Sequence, residues 1–385
     1  MQNSRLSAFI AVAFMAAAAW SQLPGKTPVV TIFAAPPSVD ISYVVLRGTY
    51  ATGISSKGDV VGNFYDTCCA HVSHGFIRAL DGTLTQVNWD PSFPFPGWPE
   101  GTFLEGINTQ GVAVGYYIRR NRDHGDGAVY HGLIRSPQGV ITTIDLPGAG
   151  TGNEQGTFLE DINNSGTILG GYIDSFGERH FVLLSKKGEV TNFEVPGSSG
   201  TRAYYVINSI GADKLNSAGE ATGTYRDSDD VRHGWLRSKQ GMVTVFDAPG
   251  AGRAANQGTV VSGINEEGAL SGATIDDHNV QHGMIRDRNG NFTVFDAPGA
   301  ANGGGTSVAS LNASKTAVGN YWDPTGKSYG FVRTADGIFT KFDLFLPAAG
   351  RSYGTYITGI NNQGWLTGWF LGGEYHGDWS FVIVP

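Results

Sequence analysis

The sequence carries little charge. Charged residues make up 16% of the 385 residues, against about a quarter in ordinary globular domains. Disorder needs high charge and few aromatics, whereas this chain is 41% hydrophobic and 11% aromatic. With 26 basic and 34 acidic residues the net charge is −8, and no basic run stands out. The composition therefore argues against nucleic acid or a membrane surface as a partner.

Cysteine is limited to Cys68 and Cys69, which are adjacent. Neighbouring cysteines cannot join distant strands, so no disulfide framework holds this fold. The pair can close a strained ring or stay free for metal or exchange chemistry, and we favour the strained disulfide. The nucleophile elbow, the zinc-protease helix motif, the phosphate loop and the dinucleotide fingerprint are all missing.

Long apolar runs are missing too, apart from one at the start. Arg5 precedes an apolar stretch from Leu6 to Ala19 that ends in small residues. This pattern predicts a secretory signal peptide over residues 1–21, because the run is too short to span a membrane comfortably. We expect export to the periplasm, the cell surface or the medium, with no membrane span in the mature chain.

Glycine, in contrast, is abundant, with 56 residues. It has no every-third-residue period, which excludes collagen. Each glycine in a helix interior costs about 1 kcal/mol, which disfavours long helices. The composition therefore predicts a turn-rich, all-β protein.

One phrase recurs along the chain. It runs Gly-Thr, Ile-Asn-x-x-Gly, Gly-x-Tyr-x-Asp, His-Gly-Phe and Thr-x-Phe-Asp-x-Pro-Gly, and it defines seven units of about 51 residues. The units start at Gly48, Gly101, Gly156, Gly200, Gly258, Gly305 and Gly354.

Each unit contains four predicted strands, here called A to D. Strand A, such as Gly101–Ile107, ends in an Asn-x-x-Gly turn, and strand B follows, as in Thr167–Tyr172. Strand C starts at the histidine, as in His74–Arg78, and a two-residue turn such as Asp81–Gly82 leads to strand D. Tandem four-stranded units of this length are typical of a β-propeller.

The two ends of the chain complement each other. The seventh unit stops at Pro385 without a strand D, whereas the N-terminal segment 30–36 matches the strand D segment 243–249. An N-terminal strand over Val29–Phe33 that completes the last unit removes an open sheet edge. The sequence thus predicts a closed seven-bladed β-propeller with four antiparallel strands per blade, as one domain over residues 22–385.

The His-x-Phe phrase within these repeats resembles the HAF-repeat family of extracellular proteins, over Val29 to Pro385. The phrase stands at His74–Phe76, His131–Leu133, His233–Trp235 and His282–Met284, with departures at His180–Phe181, Tyr329–Phe331 and Trp379–Phe381. Glycine generally replaces the family's alanine. The resemblance implies an exported repeat protein and brings no established activity or catalytic residues.

Histidine and aspartate recur together at the junction of strands B and C. The histidines are His74, His131, His180, His233 and His282, and the aspartates are Asp66, Asp174, Asp227, Asp276 and Asp323. A His–Asp pair can serve catalysis or bind a metal. A residue that recurs in nearly every unit has a structural role in each unit, however, so we predict hydrogen bonds that stabilise the B–C hairpins. Arg119 replaces the aspartate in unit two.

Irregular loops are confined to the face that carries the D–A and B–C connections. The D–A loop of unit one is rich in aromatic residues, and the B–C loop of unit two is rich in charge. Such a combination suits a polysaccharide or protein ligand, or else it pins long loops to the surface. The candidate ligand-binding residues are Trp89, Phe95, Trp98, Arg119, Arg120, Arg122 and His124.

A second candidate site lies on the inner strand A. Two residues before the Ile or Leu of the Ile-Asn phrase, three consecutive units carry Glu105, Glu160 and Asp213. These carboxylates can bind Ca²⁺, act as a general acid, or simply line a water-filled channel; we favour the lining. An insertion in unit four, residues 206–214, obscures the register of Asp213.

Three functions follow from these candidates. The main hypothesis is a monomeric, non-catalytic exported propeller that binds an extracellular polysaccharide or protein, without a cofactor. The first alternative is a glycan hydrolase or lyase that uses Glu105, Glu160 and Asp213. The second is a structural surface protein without a ligand.

Overall fold

The computed structural model describes residues 28–34, 48–65, 72–89, 101–121, 127–198, 213–300, 305–345, 353–372 and 378–385. The predicted signal peptide and the Cys68–Cys69 pair lie outside these residues. The described segments consist of strands and turns, with no helix among them. Consequently, no helix of these segments is long and apolar enough to cross a membrane. The all-β prediction is confirmed.

The strands recur in the predicted order, and their bounds differ little between units. The A strands are β2 (Gly48–Ile54), β6 (Gly101–Ile107), β10 (Gln155–Ile162), β14 (Lys214–Leu215), β18 (Gly258–Ile264), β22 (Thr306–Leu311) and β26 (Thr355–Ile360). The B strands are β3 (Val60–Tyr65), β7 (Ala113–Asn121), β11 (Ile168–Ile173), β15 (Ala221–Arg226), β19 (Leu270–Ile275), β23 (Ala317–Trp322) and β27 (Leu366–Leu371).

The outer strands complete each unit. The C strands are β4 (Ser73–Arg78), β8 (Gly127–Arg135), β12 (Arg179–Leu184), β16 (Arg232–Arg237), β20 (Gln281–Arg286), β24 (Ser328–Arg333) and β28 (Asp378–Val384). The D strands are β5 (Leu84–Val87), β9 (Ile141–Ile144), β13 (Val190–Phe193), β17 (Val243–Phe246), β21 (Phe292–Phe295), β25 (Phe339–Phe342) and, at the start of the chain, β1 (Val29–Phe33).

Pairing within each unit is antiparallel in the order A, B, C, D. The N-terminal strand β1 pairs with β28, with Thr31 opposite Val382, and so supplies the strand D that the last unit lacks. Short parallel bridges join β4 to β6, β8 to β10 and β16 to β18. The strands thus form four separate hydrogen-bonded sheets rather than one continuous closed sheet.

A β-bulge interrupts strand A at the same place in six units. The ladder to strand B shifts register across one extra residue, which is Thr52, Glu105, Glu160, Ser262, Ala309 or Thr358. A bulge leaves its extra residue unpaired and turns the side chain in a new direction. The hydroxyl of Thr52 donates to the carbonyl of Leu104 at 2.9 Å, in the next unit. The bulge therefore directs this side chain toward the neighbouring unit.

The asparagine of the Ile-Asn phrase bonds in two directions. In Asn265, Oδ1 accepts the backbone N–H groups of Glu267 and Ala269, while Nδ2 donates to the carbonyl of Asn312 at 2.9 Å, one unit further. The same bond to a backbone carbonyl of the next unit is donated by Asn108, Asn163, Asn216 and Asn312. Asn361 of unit seven donates to the carbonyl of Ser55 in unit one at 3.1 Å. These bonds lead from the second unit to the seventh and back to the first.

The core lies between neighbouring units. The fully buried rings of Phe76, Phe181, Trp235, Phe331 and Phe381 all belong to strand C. Around Phe381, residues of unit seven pack against Val318 and Phe342 of unit six. Strand B carries glycine at the closest approach, since a Cβ on Gly115 or Gly272 would overlap a backbone carbonyl of strand A.

Candidate functional site

The repeated histidines are held by carboxylates. In unit five, Nε2 of His282 lies 3.4 Å from Asp276 and Nδ1 lies 2.9 Å from Asp296. His233 has the same two partners, Asp227 at 3.1 Å and Asp247 at 2.8 Å. Burial lowers the pKa of His233, but the hydrogen bonds and charges of both aspartates raise it above its usual value. The predicted B–C hairpin lock is confirmed for these units.

The sequence prediction missed the second carboxylate, which follows the histidine by 14 residues at the end of strand D. It is present in the repeat phrase as the aspartate of Phe-Asp-x-Pro-Gly, so its recurrence was the available signal. In unit six, Tyr329 replaces histidine and its hydroxyl donates to Asp323 at 3.2 Å. In unit one, Asn88 bonds Nδ1 of His74 at 2.8 Å.

Aromatic rings of strand B stack on these histidines. The Tyr172 and His180 rings lie 4.7 Å apart, and Tyr225 and His233 lie 5.2 Å apart. The same tyrosines reach the Pro-Gly turn of the preceding unit, where a Cβ on Gly148 would lie 3.0 Å from the Tyr172 hydroxyl. His, Asp, Tyr and Gly of the phrase therefore form a packing unit rather than a catalytic site.

Two of the predicted ligand-binding residues meet at the junction of units one and two. The ring of Trp89 stacks on Tyr117 at 4.2 Å with an interplanar angle of 6°. The guanidinium of Arg119 lies over Trp89, 5.8 Å from the ring centroid, and its side chain is exposed. Tyr117 in turn stacks on His131 at 4.7 Å. Phe95, Trp98, Arg122 and His124, and the side chain of Arg120, lie outside the described residues.

Trp89 and Arg119 both depart from the repeat. The backbone N–H of Trp89 donates to the hydroxyl of Thr102 at 2.9 Å, a bond that Leu146, Ala248, Ala297 and Leu344 make at the same position. Those four side chains are small or aliphatic and buried. Arg119 stands where other units carry the aspartate that bonds the histidine. Among the described residues, the carboxylate that bonds His131 is therefore that of Asp145, at 2.7 Å.

The three predicted carboxylates do not form one site. Glu160 and Asp213 converge on Arg179, whose Nη2 lies 2.8 Å from Glu160 Oε2 and 2.7 Å from Asp213 Oδ2. All three side chains are buried, and the guanidinium also lies 4.5 Å from the ring centroid of Phe181. Burial, the charge of Glu160 and a hydrogen bond with it hold the pKa of Asp213 well above its usual range.

Arg179 determines what Glu160 and Asp213 can do. A guanidinium between the two carboxylates occupies the position that a bound cation would need, so this pair does not fit Ca²⁺. The two groups are also buried away from any substrate. Among the described residues, two groups of side chains at B–C turns could hold a metal ion instead. They are exposed or half-buried, and they consist of Asp174, Glu178 and His180, and of Asp276, Asp277 and His278.

Glu105 has a different environment. It lines a cavity of about 220 Å³ together with Asp161 and Lys214. Burial raises the pKa of Glu105 to about 7, opposed by the charge of Lys214 and reinforced by that of Glu160. Asp161 accepts backbone N–H bonds from Ile162 and Leu215, each at 2.9 Å. The sequence prediction missed Arg179, Asp161 and Lys214, although Asp161 and Lys214 stand where other units carry glycine or serine.

Comparison with known proteins gives no family. Neither a protein-family model nor a curated protein matches this chain. Among solved structures, AofleA from Arthrobotrys oligospora is 9% identical, with 94% of this chain and 93% of that chain covered and a TM-score of 0.42. The polysaccharide lyase Uly1 is 10% identical, with 90% and 100% covered and a TM-score of 0.48.

The Aleuria aurantia lectin, solved in complex with alpha-methyl-L-fucoside, is 8% identical, with 77% of this chain and 94% of that chain covered and a TM-score of 0.36. The structural neighbours of this chain thus include a lectin and a polysaccharide lyase. With TM-scores below 0.5, these likenesses do not establish a shared fold.

Proposed function

We propose that this chain is an exported, seven-bladed β-propeller that binds an extracellular polysaccharide without catalysis. The binding site lies where units one and two meet, on the face that carries the D–A and B–C connections. The single observation that carries the proposal is the pairing of Trp89 with Arg119.

The propeller interpretation is supported by the bonds between units. Asn361 of unit seven bonds unit one through Ser55, and Thr358 donates to the carbonyl of Ala51 at 2.9 Å. Strand β1 completes the last unit by pairing with β28. A cyclic succession of seven four-stranded units is the arrangement that a propeller requires.

The proposed binding site is supported by two neighbouring residues that both differ from the residues at the same positions of the other units. Where other units have a small or aliphatic residue and an aspartate, this junction has Trp89 and Arg119, from two different units. A residue that varies in only one unit is not needed for the fold of every unit, so its role is local. A half-buried aromatic side chain beside an exposed guanidinium combines apolar contact area with hydrogen-bond donors, which is the composition of a polar-ligand site.

A catalytic role for the predicted carboxylates has less support. Glu160 and Asp213 are buried and paired with Arg179, and Glu105 makes no such pair with Arg179. A hydrolase or lyase needs an acid or base within reach of the substrate. The arrangement of these groups therefore favours a binding protein.

The test is affinity electrophoresis and glycan-array binding of the mature protein with a panel of neutral and acidic polysaccharides. We expect Trp89→Ala and Arg119→Ala each to weaken binding at least tenfold. Trp365→Ala and Arg288→Ala are the matched controls, since both residues lie at A–B and C–D turns on the opposite face, and they should bind like the wild type. Equal binding by all four folded variants, or no polysaccharide binding by the wild type, would overturn the proposal.

A further inference from the structure

The cavity beside Glu105 is lined by residues other than Trp89 and Arg119. Its volume is about 220 Å³, and its walls come from the A strands and from A–B turn residues such as Ser56, Glu266 and Asn362. Five of the six described bulge residues line the cavity, and the exception is Glu160. It is thus a central cavity, separate from the proposed polysaccharide site.

The cavity exists because small residues follow the bulge. The position after the bulge is Gly53, Gly106, Gly263, Ser310 or Gly359 in five units, and all five residues line the cavity. The two remaining units place Asp161 and Lys214 at the same level. Five small residues leave space on one side of the cavity, while two neighbouring charged residues make the other side polar.

Two charged groups of the cavity lining, Glu105 and Lys214, are available to a ligand. Asp161 is bonded to the backbone of Ile162 and Leu215, and Glu266 is bonded to Ser217 at 2.9 Å. In contrast, within the described part of the chain neither the Glu105 carboxylate nor the Lys214 ammonium makes a hydrogen bond or an ion pair within 4.0 Å, although the charge of Lys214 acts on Glu105 and Asp161. A charge of each sign therefore lines the cavity without a direct protein partner.

The rest of the lining includes an apolar collar. The aliphatic residues of the Ile-Asn phrase, Ile54, Ile107, Ile264, Leu311 and Ile360, surround the same space. A ligand that fits must present an apolar body to the collar and opposite charges to Glu105 and Lys214. Neither a simple cation nor a neutral alkane meets both conditions, because each leaves one charge or the collar unmatched.

We propose that the central cavity binds a small zwitterion with an aliphatic body, of the chemical class of an aliphatic α-amino acid. The ligand ammonium pairs with Glu105, the ligand carboxylate pairs with Lys214, and the aliphatic part packs against the collar. This site is independent of the polysaccharide proposal and does not rest on it.

The electrostatics of the cavity agree with this assignment. Burial makes ionisation of Glu105 costly, which is why its pKa rises to about 7. A ligand ammonium next to the carboxylate supplies the missing counter-charge and favours the ionised form. Both charged pairs form in a partly desolvated space, where the attraction between opposite charges is stronger than in water.

The test is isothermal titration calorimetry of the mature protein with three probes of similar shape: L-leucine, isopentylamine and 4-methylpentanoate. The last two lack the carboxylate and the ammonium, respectively. We expect saturable binding of L-leucine and at least tenfold weaker binding of each truncated probe. Glu105→Gln should weaken L-leucine at least tenfold and leave 4-methylpentanoate unchanged, while Lys214→Met should weaken L-leucine and leave isopentylamine unchanged.

Glu267→Gln and Lys239→Met are the controls, because both side chains are exposed and neither residue lines the cavity. Thermal unfolding establishes that each variant is folded. Absence of saturable L-leucine binding to the wild type would overturn the proposal, as would equal affinity for the three probes or unchanged affinity in both cavity variants. Loss of polysaccharide binding in Trp89→Ala with intact L-leucine binding would separate the two proposed sites.

Discussion

At the scale of single residues, Arg179 makes a buried contact with both Glu160 and Asp213. One guanidinium nitrogen lies within 2.8 Å of both carboxylates. Burying charges costs several kcal/mol each, and only close pairing offsets that cost. Arg179 carries a single positive charge, and burial together with the charge of Glu160 raises the pKa of Asp213. The cluster joins unit three to unit four.

Removing this arginine should destabilise the protein strongly. Arg179→Met leaves two buried carboxyl groups unpaired, and we expect the free energy of unfolding to fall by about 3–5 kcal/mol near neutral pH. The loss should shrink in acid, where a protonated Asp213 needs no positive partner. Urea unfolding measures the change. Arg288→Met is the control, since Arg288 is exposed and its pair with Glu220 should contribute less than about 1 kcal/mol. Equal losses in the two variants would contradict this prediction.

Glu105 should make stability depend on pH. Its pKa rises from 4.5 to about 7 in the folded protein, so the folded state holds a proton that the unfolded chain releases. Stability therefore falls as the pH rises through this window, by at most about 3 kcal/mol.

Glu105→Gln should match the wild type below about pH 4.5 and be more stable above about pH 7, since glutamine needs no proton. Urea unfolding at both pH values measures the difference, with Glu267→Gln as the control. A stability difference that is the same at both pH values would show that ionisation of Glu105 is not its source.

At the scale of elements, the A–B turn connects its own unit to the next. Asn265 is buried and uses its oxygen inside the turn and its nitrogen between units. In unit one, Ser55 occupies this position, and its hydroxyl accepts the N–H groups of Lys57 and Asp59 at 3.2 and 3.1 Å. Serine thus preserves the turn and omits the inter-unit bond.

This natural difference separates the two contributions. We expect Asn265→Ser to lower the free energy of unfolding by about 1 kcal/mol, the typical value of one hydrogen bond. Asn265→Ala should cost about 2–3 kcal/mol, because it also leaves the backbone N–H groups of Glu267 and Ala269 without their acceptor. Chemical denaturation measures both. If the serine and alanine variants are equally unstable, the turn bonds contribute nothing and the prediction is wrong.

At the scale of the whole molecule, the N-terminal strand connects the two ends of the chain. Strand β1 pairs with β28, and Phe33 packs edge-on against Phe76 of unit one with ring centroids 5.8 Å apart. The strand therefore contacts both the last unit and the first. Its removal would expose the edge of β28, which is a template for association with another chain.

Deletion of residues 1–34 should lower the free energy of unfolding by at least about 3 kcal/mol, since full burial of one large apolar side chain contributes about 1.5–3 kcal/mol. It should also cause concentration-dependent association. Deletion of residues 1–27 is the matched control, because it retains β1 whole. Thermal unfolding and analytical ultracentrifugation measure both effects. A monomeric and equally stable 1–34 deletion would mean that β1 does not complete the last unit.

Much of this structure was predictable from the sequence because its signals are repeated. The strands, the Asn-x-x-Gly turns and the His–Asp bonds recur in several units, so an error in one unit is corrected by the others. The bulge was not predicted, although it places Glu105 and Glu160, because an extra residue in a ladder is visible only once two strands are paired. Arg179 was missed because it belongs to strand C, far along the chain from Asp213, and only the folded chain brings the two side chains together.

The sequence by itself determined the all-β class, the four strands of each unit and the strand that the N-terminus supplies. Hydrophobic alternation and turn residues determine strands and turns over a few positions, and their recurrence in each unit makes them recognisable in the sequence. Only the tertiary structure decided which charges are neutralised. Glu105, Glu160 and Asp213 occupy equivalent positions in sequence, yet Arg179 reaches two of them while Glu105 lines a cavity. The energy of a buried charge depends on its spatial neighbours, and equivalent positions in a repeat do not share those.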